Sequence, residues 1–221
     1  YYAKGLLYLS RSLDMWIKSP ASDDLDIAKT YINMGRAYRN LNQHDQELKY
    51  LIKGFEIDQK KYPADHLYIG IDKNYLAAAY LSLGDKERAR TCIMESLEIF
   101  EKPETETLHK VNALKTYGEI NLSEGKIDKA VEVLKDALKL QEEKVYNKDH
   151  PFTALVLCAL ARLEEAAGER ESAKNHLIRA LKIQTEKLPE DHPEIQKTKE
   201  VMRELEGVSQ PGGSVASVPP S

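Results

Sequence analysis

Six histidines and two cysteines are the side chains of this 221-residue chain best suited to bind a metal or attack a substrate. His66, His150 and His192 stand in equivalent settings, Asp65-His66-Leu67, Asp149-His150-Pro151 and Asp191-His192-Pro193. If each setting belongs to one structural unit, neighbouring copies lie roughly a helix–helix spacing apart, about 10 Å. Metal–nitrogen bonds are about 2 Å, so these three cannot share one ion. His44, His109 and His176 have no partner at ligand spacing, and all six read as structural. Cys92 and Cys158 are more than one unit apart, too far for the ~7 Å limit on the Cα atoms of a disulfide. Both should stay reduced, which fits a reducing, cytoplasmic setting. Cys158 lies in an apolar run, where a thiol behaves as a small hydrophobe. There is no Gly-x-Ser-x-Gly elbow and no Gly-rich phosphate loop. The pairs Glu142-Glu143 and Glu164-Glu165 read as solvated faces. The expectation is a protein with no catalytic residue, no metal and no cofactor, and not an enzyme.

The same histidines mark an internal repeat. Asp23, Asp65, Glu106, Asp149 and Asp191 follow one another at spacings of 42, 41, 43 and 42 residues. Asn42, Gly84, Gly125 and Gly168 form a second series locked to the first. A fixed period of this length means stacked copies of one supersecondary unit, each touching mainly its neighbours. The bulk composition agrees. Charged residues at 31% and aromatics at only 7% suit helices with narrow apolar stripes and solvated outer faces. The net charge of −4, with both signs interspersed, carries no nucleic-acid or membrane footprint. The longest strongly apolar stretch, Ala154 to Ala161, is far short of the ~20 residues that span a bilayer. The chain opens in what reads as the second half of a repeat, as a piece of a longer protein would.

Within one unit, Leu108, Val111, Leu114, Tyr117 and Leu122 recur at helical spacing until Gly125 stops the helix. Ile127, Ala130, Val131, Leu134, Ala137, Leu138 and Val145 then trace a second stripe, so each unit is a helical hairpin. Small residues align where two helices must approach: Gly35, Ala77, Gly118 and Ala161 in the first helix, and Gly54, Ser96, Ala137 and Ala180 in the second. Asp23, Asp65, Asp149 and Asp191 read as helix N-caps, with Pro in the first turn where it costs no hydrogen bond. The expected helices are 3–18, 25–41, 44–61, 67–83, 86–101, 107–123, 127–145, 151–167, 170–187 and 193–206. These make a half repeat, full repeats at about 23–62, 65–104, 106–147 and 149–188, and a cap at 191–206. The cap carries Ile195, Thr198, Met202 and Leu205 on one side and charges on the rest. Residues 207–221, GVSQPGGSVASVPPS, are too poor in apolar surface to order themselves and read as a disordered tail or linker.

Lys126 to Leu140 (KIDKAVEVLKDALKL) and Ser172 to Ile183 (SAKNHLIRALKI) resemble the second helix of the tetratricopeptide repeat. Asn33 to Tyr38 (NMGRAY) and Leu76 to Tyr80 (LAAAY) resemble its first. The period of about 42 residues, against the usual ~34, is similar to the repeats of kinesin light chains and their relatives. The resemblance covers about residues 3–206. It implies an all-α, right-handed solenoid of antiparallel hairpins that acts as a protein-interaction scaffold. Two departures stand out. The paired asparagines of kinesin light chains are single here, at Asn33 and Asn74, and the basic residues of the carboxylate clamp are not assembled. Glu47 also stands where the family prefers Ala, which predicts a looser first hairpin.

In that family the first helices line a groove that receives an extended peptide or a helix. Matched position by position, the groove residues here include Lys29, Asn33, Arg36, Arg39, Asn40, Asn74, Tyr75, Asn112, Lys115 and Arg162. The N-terminal half of this set is basic. Arg forks onto carboxylates and Asn amides bond a peptide backbone, which suits an acidic segment with an anchor against Tyr75. The alternative is a regulatory or self-assembly module of a multidomain protein. Self-association would then use the half repeat at 3–18 and its Leu6, Leu9 and Leu13.

Overall fold

The computed structural model describes residues 2–19, 24–102, 107–144 and 149–207. They form two compact units, the first within Tyr1–Tyr146 and the second within Asn147–Ser221. The first holds α1 (Tyr2–Lys18), α2 (Asp24–Asn40), α3 (His44–Lys61), α4 (Leu67–Ser82), α5 (Lys86–Phe100), α6 (Thr107–Ser123) and α7 (Ile127–Lys144). The second holds α8 (Pro151–Ala166), α9 (Arg170–Lys187) and α10 (Pro193–Leu205). The architecture is all-α: α2 pairs with α3, α4 with α5, α6 with α7 and α8 with α9, and α10 lies on α9. The spacing of apolar and turn residues places every helix end within one residue of its observed position. Val145, Asp23 and the tail at 208–221 lie outside the described residues.

Each hairpin turns on one residue in the left-handed region. Asn42 has φ 55°, and Gly84, Gly125 and Gly168 have φ 82°, 76° and 84°. The hydrogen bonds repeat with the period. Gly84 N–H donates to Leu81 O and Asp85 N–H to Tyr80 O. Gly125 and Lys126 donate likewise to Leu122 and Asn121, and Gly168 and Glu169 to Glu165 and Glu164. Two carbonyls at each helix end are thus satisfied by the turn itself.

The links into α4, α8 and α10 correct one expectation. The cap is the histidine, not the preceding aspartate. His66, His150 and His192 sit in extended backbone, and each side chain accepts from the N–H two residues on, of Tyr68, Phe152 and Glu194. The accepting atom is Nδ1, at 3.2, 3.1 and 3.3 Å. An imidazole that accepts there carries its proton on Nε2. His66 is also stacked on Tyr62, with ring centroids 4.1 Å apart, and meets Tyr68 edge-on. Asp65 instead receives Lys102 Nζ at 2.5 Å.

Packing inside each hairpin depends on the small residues. A methyl added at Gly35 would lie 2.7 Å from Leu51 Cγ, one at Gly54 2.7 Å from Ile32 Cδ1, and one at Gly118 2.9 Å from Leu134 Cγ. The glycine of one helix is the notch that receives the branched residue of its partner. Leu51 and Leu134 are fully buried in these contacts, each burial stabilising by about 2 kcal/mol. In the second unit, Ala161, Ala173, Leu177 and Leu205 form one cluster of the core, with Cys158, Val201 and Met202 against it. Ile195 and Thr198 of α10 are buried while Lys197, Lys199, Glu200, Arg203 and Glu204 face solvent, as a closing helix requires.

Two alanine substitutions should act with opposite sign. Gly35→Ala drives a methyl into Leu51 and should lower the unfolding free energy by about 1–2 kcal/mol, overpacking outweighing the gain in helix propensity. Gly5→Ala, with no atom within 4 Å of the new methyl, should raise it by about 0.5 kcal/mol. Urea denaturation of both variants reads the difference.

Candidate functional site

The first helices of successive hairpins lie side by side in the first unit, where α4 contacts both α2 and α6. Between them is a cavity of about 240 Å³, lined by Leu25, Lys29, Ile32, Asn33 and Arg36 of α2, Asp58 of α3, Tyr68, Ile71, Asp72 and Tyr75 of α4, and His109 of α6. Helical periodicity explains the α2 wall. Lys29, Asn33 and Arg36 are four and three residues apart, so they form one exposed row above the buried Ala28 and Ile32. Arg36 Nη1 donates to Asn33 Oδ1 at 3.2 Å, and its guanidinium lies 5.3 Å from the centre of the Tyr75 ring. That stacking fixes an otherwise mobile cation at the cavity mouth. Neither Lys29 nor Arg36 forms an ion pair among the described residues.

Four of the ten residues assigned to the groove from sequence therefore meet at this cavity: Lys29, Asn33, Arg36 and Tyr75. Asn40 donates to Arg36 O at 2.9 Å on the same helix. Asn74 is buried, and its Oδ1 has no hydrogen-bond partner among the described residues. Asn112 is half-buried on α6, where its carbonyl accepts from Thr116. Lys115 is paired with Glu119 at 2.9 Å. Arg162 belongs to the second unit, exposed on α8.

Arg39 has a different task. Its Nε donates to Glu47 Oε1 at 2.6 Å and its Nη2 to Tyr75 O at 3.3 Å. His44 Nδ1 meets the other Glu47 oxygen at 2.9 Å. Glu47, which predicted a looser first hairpin, is wholly buried with both oxygens engaged. A buried carboxylate is tolerated only when paired in this way. The second unit repeats the device with other partners: buried Glu164 accepts from Ser172 at 2.8 Å and meets His176 at 2.7 Å. Between the second and third hairpins, Arg90 forks onto Glu124 and also reaches Asn121 Oδ1. The guanidinium holds the Glu124 carboxyl at about 2, well below its ordinary value.

The cavity floor is what the residue pattern did not reveal. Asp58 and Asp72 are both buried, on helices of adjacent hairpins. Burial, the charge of Asp58 and a hydrogen bond with it push the Asp72 carboxyl up to about 8. Burial also raises Asp58, offset by its hydrogen bond with Asp72 and the charge of Lys29. At neutral pH the two carboxyls share one proton. Because the folded value of Asp72 stands above the unfolded one, the pair's contribution to stability is complete below about pH 4 and is lost as pH rises through 8.

Both free thiols are pushed up by burial, and Cys158 Sγ lies 3.3 Å from Thr198 Oγ1. Among the described residues, no helix is long and apolar enough to cross a membrane.

A tetratricopeptide repeat family model matches residues 69–143 and 110–186, and a second matches 28–61. No curated protein matches the chain. Many solved structures are similar in fold, three of them as follows. BtubC (BKLC) from P. vanneervenii is 17% identical with a TM-score of 0.63, over all of this chain and 80% of that one. A putative kinesin light chain of nearly identical TPR-like repeats from Podosopora anserina is 20% identical with a TM-score of 0.56, over 84% and 88%. A Signal Transduction ATPase with Numerous Domains from Pyrococcus horikoshii, which has a tetratricopeptide repeat sensor, is 17% identical with a TM-score of 0.56, over 84% of this chain and 27% of that one.

Arg39→Ala should act on stability rather than on recognition. It strips the buried Glu47 of its cation and should cost about 3 kcal/mol. Adding Glu47→Gln should restore part of the loss. Unfolding free energies of the single and double variants check this, and a double variant no more stable than Arg39→Ala would remove the ion pair from the account.

Proposed function

The chain belongs to the tetratricopeptide repeat family, and from that premise we propose that it is a non-enzymatic scaffold whose groove receives an acidic extended segment of a partner protein. The observation that carries this reading is the exposed row Lys29-Asn33-Arg36, whose two cations have no ion-pair partner among the described residues, beside the Tyr75 ring. Arg39 and Lys115 already have internal carboxylates, so of the basic groove residues in the first unit, Lys29 and Arg36, both on α2, are the two with no ion pair among the described residues. A carboxylate docking there gains charge-assisted bonds from Arg36 and Lys29. Asn33 offers an amide to the peptide backbone, and Tyr75, Ile71 and Ile32 provide apolar contact for an anchoring side chain.

Peptide display selection on the chain and on Lys29→Glu/Arg36→Glu tests the reading. An acidic motif should be enriched on the parent and lost by the variant. Identical motifs on both proteins would refute it.

A second reading rests on α1. Leu7, Met15 and Ile17 are 52%, 72% and 60% exposed, with Tyr8 and Trp16 beside them. Leu6, Leu9 and Leu13 are half-buried, so the open face of the helix is not the one its periodicity indicated. Such a patch suits self-assembly, or docking inside a larger protein like the repeat sensor of the P. horikoshii ATPase. Sedimentation velocity should then show a self-associating chain that Leu7→Glu/Ile17→Glu converts to monomer. A parent that is monomeric at all concentrations removes self-assembly.

A further inference from the structure

The acidic floor of the cavity is unused by the acidic-segment reading and, at first sight, opposes it. Asp72 is 3% exposed and Asp58 7%, and Asp72 Oδ2 has no hydrogen-bond partner among the described residues. Two carboxylates cannot both ionise at contact in a poorly solvated site. A single proton held between them supplies the missing hydrogen and leaves one negative charge on the floor. The charges of Lys29 from α2 and of His66, at the start of α4, act on Asp58, and Arg36 from α2, Tyr68 and Tyr75 from α4 and His109 from α6 are the other charged and titratable groups that line the cavity. While the proton is present, two cations line the cavity with one anion. Once it leaves, there are two, and the second anion sits where solvent screens it least.

The cavity, at about 240 Å³, is smaller than the ~300–1,000 Å³ that houses whole small molecules, so it has room for one side chain. Its mouth is cationic and its walls are apolar. We propose that this cavity is a proton-coupled subsite for a carboxylate side chain of the partner, admitted while Asp58 and Asp72 share a proton and expelled when they do not. The inference rests on the acidic-segment reading and adds to it a specific pocket and a dependence on pH. By linkage, a bound carboxylate raises the hold of the pair on its proton, so binding and protonation favour each other.

The test uses the whole chain and rhodamine-labelled hexaglutamate, amidated or with a free terminal carboxyl, with Kd read by fluorescence anisotropy at pH 7 and pH 9. With Asp72 titrating near 8, the competent fraction falls from about 0.9 to about 0.1, so Kd for the parent should rise about tenfold. In Asp72→Asn the two values should agree within about twofold. Asp58→Asn, which also removes the shared proton, carries the comparison if melting curves show Asp72→Asn unfolded. Equal pH ratios in parent and variant would overturn the proposal, as would binding confined to the free-acid peptide, which assigns the pocket to a chain terminus. Absence of hexaglutamate binding at both pH values would remove the acidic-segment reading and this subsite together. Carboxyl NMR of the free protein separates the two: an Asp72 that titrates below pH 5 defeats the proton coupling alone.

Discussion

Everything else in this protein depends on how closely two helices of one hairpin can approach. Gly35 and Gly118 set that distance by having no side chain where Leu51 and Leu134 press in. Ala77 and Ala161 occupy the equivalent places with a single, buried methyl. The constraint propagates outward. Once the second helix is drawn into the notch of the first, the opposite side of the first helix is left without a partner in its own hairpin. Side chains there are free to line a groove, and Lys29, Asn33 and Arg36 are the row that does so in α2. The groove follows from the glycine notches without a separate design for it.

The charges divide into those that hold the stack and those that remain available. Arg39 and Arg90 each join a buried or half-buried carboxylate to the neighbouring hairpin, through Tyr75 O in one case and the end of α6 in the other. These guanidiniums are spent on the fold, because a carboxylate taken out of water requires a partner. Lys29 and Arg36 form no ion pair among the described residues, although the charge of Lys29 is felt at Asp58. Arg36 differs from Arg39 in what stands opposite, an aromatic ring rather than a carboxylate, and not in residue type.

That distinction explains what could be read in the residues and what could not. Helix ends, turn glycines and close-contact positions are local or periodic, and each leaves a pattern along the chain. The pairing of Arg39 with Glu47 crosses a turn, and that of Asp58 with Asp72 crosses between hairpins. No helical period connects either pair. The histidine caps are hidden from the residue pattern for a chemical reason: aspartate is the commoner side-chain acceptor at a helix start, and imidazole accepts only in one tautomer. The Asp-His-Pro spelling marked the place correctly, and the atom doing the capping had to be seen. The cavity floor had no signal at all, since Asp58 and Asp72 look like ordinary helix-surface acids until the helices are brought together.

The same links have a consequence for the chain before it folds. His150 and His192 each precede a proline, and that neighbour confines them to extended backbone in any state of the molecule. Their folded dihedrals, near φ −69° and ψ 141° and near φ −64° and ψ 132°, are the ones proline already favours. His66 adopts almost the same geometry, φ −75° and ψ 147°, in front of a leucine. It reaches it through Tyr62 and Tyr68, whose rings are in place only after α3 and α4 have formed. Two entrances thus carry their conformational restriction into the unfolded ensemble, a saving of roughly 0.4–1 kcal/mol each on the scale of other proline effects. The third loses its freedom only on assembly, so the seam above the Asp58–Asp72 pair is the one whose order must be made anew each time the protein folds.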